Sequence, residues 1–205
     1  MDEFPGNHFH VNMAKKQRVI ITGASGLLGR AIMKEFLNSD KWEVLGLAHS
    51  RAKNVLKKVD LLDFDESKRV VKEFKPHVLI HSAAERRPDI VENDERTCTK
   101  MNVGVTKALV EAINELNSDR ETPDHFMVYI STDYVFDGTS PPYKPLDEPN
   151  PLNKYGKSKL EGEQVMHHSE GAILRVPILY GDVEYLKESA VTGAYTVLFY
   201  QDCIA

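Results

Sequence analysis

The chain has 205 residues, 41% hydrophobic and 28% charged, with a formal net charge of −5. That is enough apolar material for one compact domain, and a net acidic balance lacks the basic field that draws phosphate backbones, which argues against nucleic-acid binding. No apolar run reaches the ~18 residues that span a bilayer, the opening MDEFPGNHFHVNMAKKQ has no signal-peptide core, and Cys98 and Cys203 are too few for a disulfide framework; a reducing, cytoplasmic setting without membrane contact is expected.

Residues 1–16 are polar and aperiodic and read as a disordered tail, leaving 17–205 as the folded domain. His8, His10, His167 and His168 have no cysteines or carboxylates at ligand spacing, so no metal site is expected. RVIITG is a β-branched run ending at glycine, as a buried strand does. LLGRAIMKEFLNS then has helical spacing, WEVLGLA reads as a strand and DESKRVVKEFK as a helix beginning near Glu66. HVLIHSA is a second buried run, VTKALVEAINELN is helical, and HFMVYIST is a strand. Strand and helix take turns from Arg18 to Arg175. Parallel strands need crossovers, so this order predicts an α/β fold: a Rossmann-like, doubly wound parallel sheet with helices on both faces and ligands at the strand carboxyl ends. The connection from Tyr134 to Asn153 carries Pro141, Pro142, Pro145, Pro149 and Pro151 and reads either as a substrate lid or as a rigid surface excursion.

TGASGLLGR follows the first strand and opens the first helix. Its Gly23, Gly26 and Gly29, with Ser25, Leu27 and Leu28 between them, stand where backbone must approach a pyrophosphate at a helix N-terminus. The G-x-x-G-x-x-G spacing departs from the commoner G-x-G-x-x-G, while the strand-turn-helix context supports it. At the end of the second strand, LAHSRAK has no acidic residue to take a ribose diol; Ser50 and Arg51 can donate to a 2′-phosphate, so NADP is expected over NAD. The alternative is an exposed loop arginine. Leu62 and Asp63 stand where a loop borders an adenine, although Asp63 is equally suited to cap a helix.

Tyr155 and Lys159 in NKYGKSKLEGE are four apart and share a helix face. An adjacent ammonium lowers a phenol's pKa toward acid–base use, and such chemistry also needs a hydroxyl to hold the carbonyl, which Thr132 or Ser131 in YISTDYVFDG supplies. Alone, Y-x-x-x-K is common; with a strand-end hydroxyl and an upstream glycine turn it becomes a constellation.

Through TGASGLLGR, HSAAERRPD, STDYVFDGT and YGKSKLEGE, residues 18–192 resemble the extended short-chain dehydrogenase/reductase family. The resemblance implies that Thr132, Tyr155 and Lys159 are the catalytic set, that Ala83 and Ala84 border the cofactor, and that the nicotinamide lies near Val176, Pro177 and Ile178. Two branches are similar. One is dTDP-4-dehydrorhamnose reductase, an NADP-dependent reductase of a 4-keto nucleotide sugar. The other, closer at PHVLIHSAAERRPDIVEN, DYVFDGTSPPY, LRVPILYG and ESAVT, is the regulatory β subunit of methionine adenosyltransferase. It implies a non-catalytic NADP-binding partner of the catalytic α subunit that modulates S-adenosylmethionine synthesis. Charge pattern alone makes Glu85, Arg86, Arg87, Asp89 and Glu92 a solvated ion-pair surface. Both branches continue into a C-terminal lobe that closes over substrate, and here that lobe is expected to be largely missing. The tail GAYTVLFYQDCIA offers YTVLFY either as an exposed edge or as one more strand. A missing lobe weakens the case for turnover more than the case for cofactor binding.

Overall fold

The computed structural model describes residues 15–52, 55–119, 121, 123–189 and 191–192. Residues 1–14 of the expected tail 1–16, with His8 and His10, and the segment YTVLFY with Cys203 lie outside the described residues. The elements in chain order are β1 (Gln17–Thr22), α1 (Leu27–Leu37), β2 (Trp42–Ala48), β3 (Leu56–Lys58), α2 (Phe64–Phe74) and β4 (Val78–His81). There follow α3 (Pro88–Asn93), α4 (Glu95–Thr99), a π-helical turn at Lys100–Gly104, α5 (Val105–Asn117), β5 (Phe126–Thr132), α6 (Lys154–Met166) and β6 (Gly171–Val176).

The strands form one sheet in the order β3-β2-β1-β4-β5-β6, every neighbouring pair parallel. This is the doubly wound sheet that the alternating pattern predicts. With three residues, β3 is too short to carry a periodic signal. The helix α2 begins at Phe64 rather than near Glu66, because Asp63 itself caps it: its carboxylate accepts from the Glu66 N–H at 3.0 Å.

Period-two alternation divides each strand between two cores. Ile20, Leu47, Leu79, Met127 and Tyr129 face one side, where Val70 and Val71 of α2, Leu109 and Ile113 of α5 and Met166 of α6 pack on them. Val19, Ile21, Ile80 and Ile130 face the other, where Met33, Ile32 and Phe36 of α1 cover them. Helices thus lie on both faces, but unevenly. Among the described residues only α1 is a full-length helix on its side, and Leu174 on β6, in register with the buried Ile130, is 52% exposed.

The strand order reverses between β1 and β4, so their carboxyl ends open a crevice. Thr22 and His81 mark its floor, the Thr22 Oγ1 lying 2.7 Å from the imidazole Nδ1. The proline-rich excursion 134–153 is tied together by its own side chains. Asp137 accepts from the Thr139 N–H and hydroxyl, from Tyr143 and from Asn150, and Phe136 stacks on Tyr143 with centroids 4.1 Å apart.

Candidate functional site

Four loops converge on the crevice: the glycine turn after β1, the bend after β2, the loop after β4, and the turn after β5. In the glycine turn each glycine has a different cause. Gly23 sits at φ +65, and a Cβ there would come within 2.8 Å of the Ala83 N. At Gly29 a Cβ would lie 2.1 Å from the Gly23 carbonyl oxygen. These two glycines are therefore required by the chain's own backbone, through contact between the turn, α1 and the loop after β4. That is a reason for glycine at positions 23 and 29 separate from the pyrophosphate approach that the sequence suggests.

Gly26 differs. It caps α1 with an extended backbone and no side-chain bond, and a Cβ on it would meet only the Gly23 oxygen, at 3.2 Å. The first intrahelical bond runs from the Arg30 N–H to the Gly26 carbonyl at 2.8 Å. The amides of Leu27, Leu28 and Gly29 precede it in the first turn, so helix geometry leaves them without intrahelical acceptors and makes them an anion-binding end. Ser25 lies in the same turn, and its carbonyl accepts from Arg30 at 3.1 Å. Ala83 and Ala84 border the turn on the β4 side; the Ala83 N–H donates to the Thr22 hydroxyl at 3.3 Å.

At the end of β2, Ser50 is exposed but Arg51 is not the open phosphate donor that the sequence suggests. Its guanidinium lies 3.1 Å from the Glu188 carboxylate and 3.4 Å from Glu184. Arg30, which the sequence reading passed over, makes a bidentate pair with Glu188 at 2.6 and 2.8 Å. Arg86 donates to the Glu188 main-chain carbonyl. The Arg30 hydrogen bonds, ahead of the other contacts, draw the Glu188 carboxyl down to about pKa 2. Nothing in local spacing links residues 30, 51 and 188; the nearest signal is the arginine that follows Gly29.

Leu62 is half-buried beside the core, and the Asp63 carboxylate is committed to the α2 cap. Of the two candidate hydroxyls, Ser131 donates to Glu163 at 2.5 Å in a buried pair that Arg175 completes at 2.7 and 3.0 Å. Thr132 instead points to the turn after β5, accepting from the Tyr134 N–H and approaching Asp133, both at 3.2 Å.

Tyr155 and Lys159 both lie on α6, but they do not tune one another as expected. Lys159 is 2% exposed, with its ammonium 3.9 Å from the centre of the Tyr129 ring. Burial drives its pKa down to about 7, against the upward pull of Glu163. Burial pushes the Tyr155 phenol up to about 12; Arg86 pulls it down, and Asp133, Cys98 and Tyr134 add to the rise. The expected lowering is overturned because burial of the phenol outweighs the pull of the nearby guanidinium. Tyr134 packs edge-on against Tyr155, with centroids 6.2 Å apart. Val176, at the end of β6, packs on the α1-side core, and Pro177 and Ile178 follow it exposed.

A residue that sequence reasoning missed ties the loop after β4 to α6. The buried Asn102, in the π-helical turn, accepts from the Glu85 N–H at 2.8 Å and donates to the Glu85 carbonyl at 3.0 Å and the Ser158 hydroxyl at 2.9 Å. The only sequence signal is the glycine at 104 interrupting a helical run. Glu85 is itself buried, pairing with Arg87, so it does not belong to the solvated charge surface that composition suggests, whereas Arg86 and Arg87 are exposed.

Residues 17–192 match the family model described as the RmlD substrate binding domain. The chain belongs to that family. This member of the RmlD family is 52% identical over 178 residues to methionine adenosyltransferase 2 subunit beta of Xenopus tropicalis, a match covering 86% of this chain and 51% of the relative. It is 35% identical over 168 residues to dTDP-4-dehydrorhamnose reductase of Aggregatibacter actinomycetemcomitans, covering 80% and 52%. Among solved structures it resembles dTDP-4-dehydrorhamnose reductase from Bacillus anthracis str. Ames in complex with NADP. That match has a TM-score of 0.72 at 32% identity and covers 84% of this chain and 57% of that one. The chain spans about half the length of the curated relatives it matches. No helix among the described residues is long and apolar enough to cross a membrane.

Proposed function

We propose that this chain is an NADP-binding, non-catalytic regulatory subunit of methionine adenosyltransferase, acting in the cytoplasm on a catalytic α subunit to modulate S-adenosylmethionine synthesis. The observation that carries this reading is the 52% identity over 178 residues to a subunit beta, against 35% to a reductase.

The residues present fit the dinucleotide. The amide-bearing N-terminus of α1 lies at the sheet's switch point, Gly26 leaves the approach open, and Arg30 and Arg51 supply cations where β2 ends without an acidic residue. NADP supplies hydride chemistry when bound to a reductase. In this chain Thr132, Tyr155 and Lys159 are assigned to holding its nicotinamide end.

The test is size-exclusion co-elution with a methionine adenosyltransferase α subunit at micromolar concentration, followed by assay of its kinetics. Co-elution with altered kinetics is expected, and absence of a complex overturns the reading. The second reading, a reductase of a 4-keto nucleotide sugar, is favoured by the retained threonine, tyrosine and lysine set. It requires that NADPH absorbance fall with a dTDP-4-keto-6-deoxy sugar and that Tyr155→Phe abolish the fall.

A further inference from the structure

The stretch that follows β6 returns to the glycine turn and lays a carboxylate of the chain itself on the cationic edge of the crevice. Glu188 is 2% exposed. One guanidinium, that of Arg30, grips both of its oxygens at 2.6 and 2.8 Å; a second, that of Arg51, lies 3.1 Å away; and the Glu184 N–H donates to it at 2.8 Å. Arg86 holds the main-chain carbonyl of the same residue. Arg30 also reaches the Ser25 carbonyl in the glycine turn and the Asp182 carbonyl, and Arg51 lies over the Tyr185 ring at 5.6 Å. The nearest neighbour a Cβ on Gly181 would find is the Leu27 side chain, at 3.8 Å. Residues 181–188 therefore run along the edge that joins the first turn of α1 to the end of β2.

We propose that residues 182–189 are a tethered plug, in which Glu188 occupies the Arg30–Arg51 pair and must be displaced by a nucleotide that brings a phosphomonoester to the same place. The inference rests on the NADP-binding reading and adds to it a regulated entry step.

The chemistry is that of like replacing like. A carboxylate and a phosphate monoester both match the planar donor fork of arginine. The carboxylate brings one negative charge and the monoester nearly two, so a phosphate competes for the pair where a bare ribose diol does not. The tether gives Glu188 a high local concentration at the pair, which raises the ligand concentration needed to displace it. Among the described residues the other hydrogen bonds of the segment run to near neighbours in the chain. Tyr185 is 50% and Leu186 58% exposed, and beyond the arginines the ties of the segment include the Glu188 N–H to the Tyr185 carbonyl at 3.0 Å, the Ser189 hydroxyl to the Leu179 carbonyl at 2.8 Å and the Thr192 hydroxyl to the Leu186 carbonyl at 2.6 Å. A segment with so little apolar burial opens at low cost once its ionic contacts are lost.

The experiment is calorimetric titration of the 205-residue chain and of Glu188→Gln with NADPH and with NADH, together with amide hydrogen exchange on the unmodified chain. Removing the tethered charge is expected to tighten NADPH binding by about tenfold and NADH binding by less than about threefold. In the unmodified chain, amides of 182–189 are expected to exchange faster with NADPH than without it, the reverse of ordinary protection by a ligand. Equal NADPH affinity of the two proteins, with exchange in 182–189 unchanged or slowed, overturns the plug and leaves the cofactor reading standing. No heat from either nucleotide with either protein overturns the cofactor reading, and the plug with it.

Discussion

Replacing Gly29 with alanine separates the demands of the fold from those of a ligand. In an ordinary helix interior the change gains about 1 kcal/mol, because alanine has the better helix propensity. Here the new methyl would lie 2.1 Å from the Gly23 oxygen, 2.8 Å from the Gly23 carbonyl carbon and 2.9 Å from the Ala24 Cα. All three are backbone atoms, and the turn cannot retreat: Gly23 is itself packed against Ala83, and the Ala24 N–H is bonded to the Leu47 carbonyl at 3.0 Å. Overpacking typically costs about 1–3 kcal/mol, and contact with immovable backbone belongs at or above the upper end. Offset by the propensity gain, the net loss is about 2 kcal/mol, which for a domain of this size lowers Tm by roughly 4–8 °C. Gly26→Ala meets one atom, at 3.2 Å, in a backbone conformation that any residue adopts. Its loss is confined to the poorer capping of alanine, about 0.5–1 kcal/mol, while on the proposed NADP-binding reading its methyl obstructs the approach to the α1 amides and should weaken NADPH binding. Thermal unfolding followed by circular dichroism, with NADPH titration of each variant, reads both effects. A Gly29→Ala protein that melts at or above the wild-type temperature would refute the close-packing argument.

Three further outcomes follow from the geometry. Lys159 has a folded pKa near 7 against 10.5 for the free side chain, so between those values the unfolded chain holds the extra proton and stability rises with pH, by at most about 1.4 kcal/mol per unit. Denaturant unfolding should show that rise between pH 7 and 10 in the wild type and lose it in Lys159→Met, whose side chain also lies beside Tyr129, Glu163 and His81; an unchanged slope in the variant removes Lys159 as its source. Glu163→Ala strands the Arg175 guanidinium beside Ser131 and should cost about 3–5 kcal/mol in urea unfolding, a loss under 1 kcal/mol contradicting the buried pair. Asp63→Ala should cost about 1 kcal/mol through the lost α2 cap and leave NADPH affinity within twofold; a larger fall in affinity would return Asp63 to the adenine pocket.

The elements that the sequence announces are those whose signal is local. RVIITG, WEVLGLA, HVLIHSA and HFMVYIST are runs that only a doubly covered strand can bury, and their alternation with helical spacing leaves the parallel sheet as the ordinary outcome. The Asp63 cap was legible as one of two alternatives because the carboxylate and its amide are three residues apart. The short β3 and the bent stretch from Pro88 to Gly104 have no period of their own; partners distant in the chain shape them, as when Asn102 bridges Glu85 and Ser158.

By itself the sequence determined the parallel sheet with its alternating helices and the glycine turn, since each depends on hydrophobic period and backbone freedom within a few neighbouring residues. Only the tertiary structure decided which glycines the chain's own backbone requires, that Ser131 belongs to Glu163 while Thr132 faces the turn, and that Arg51 shares Glu188 with Arg30. It also reversed the expected ionisation of Tyr155, because burial is a property of everything packed around a group and the four-residue spacing to Lys159 reports only one neighbour.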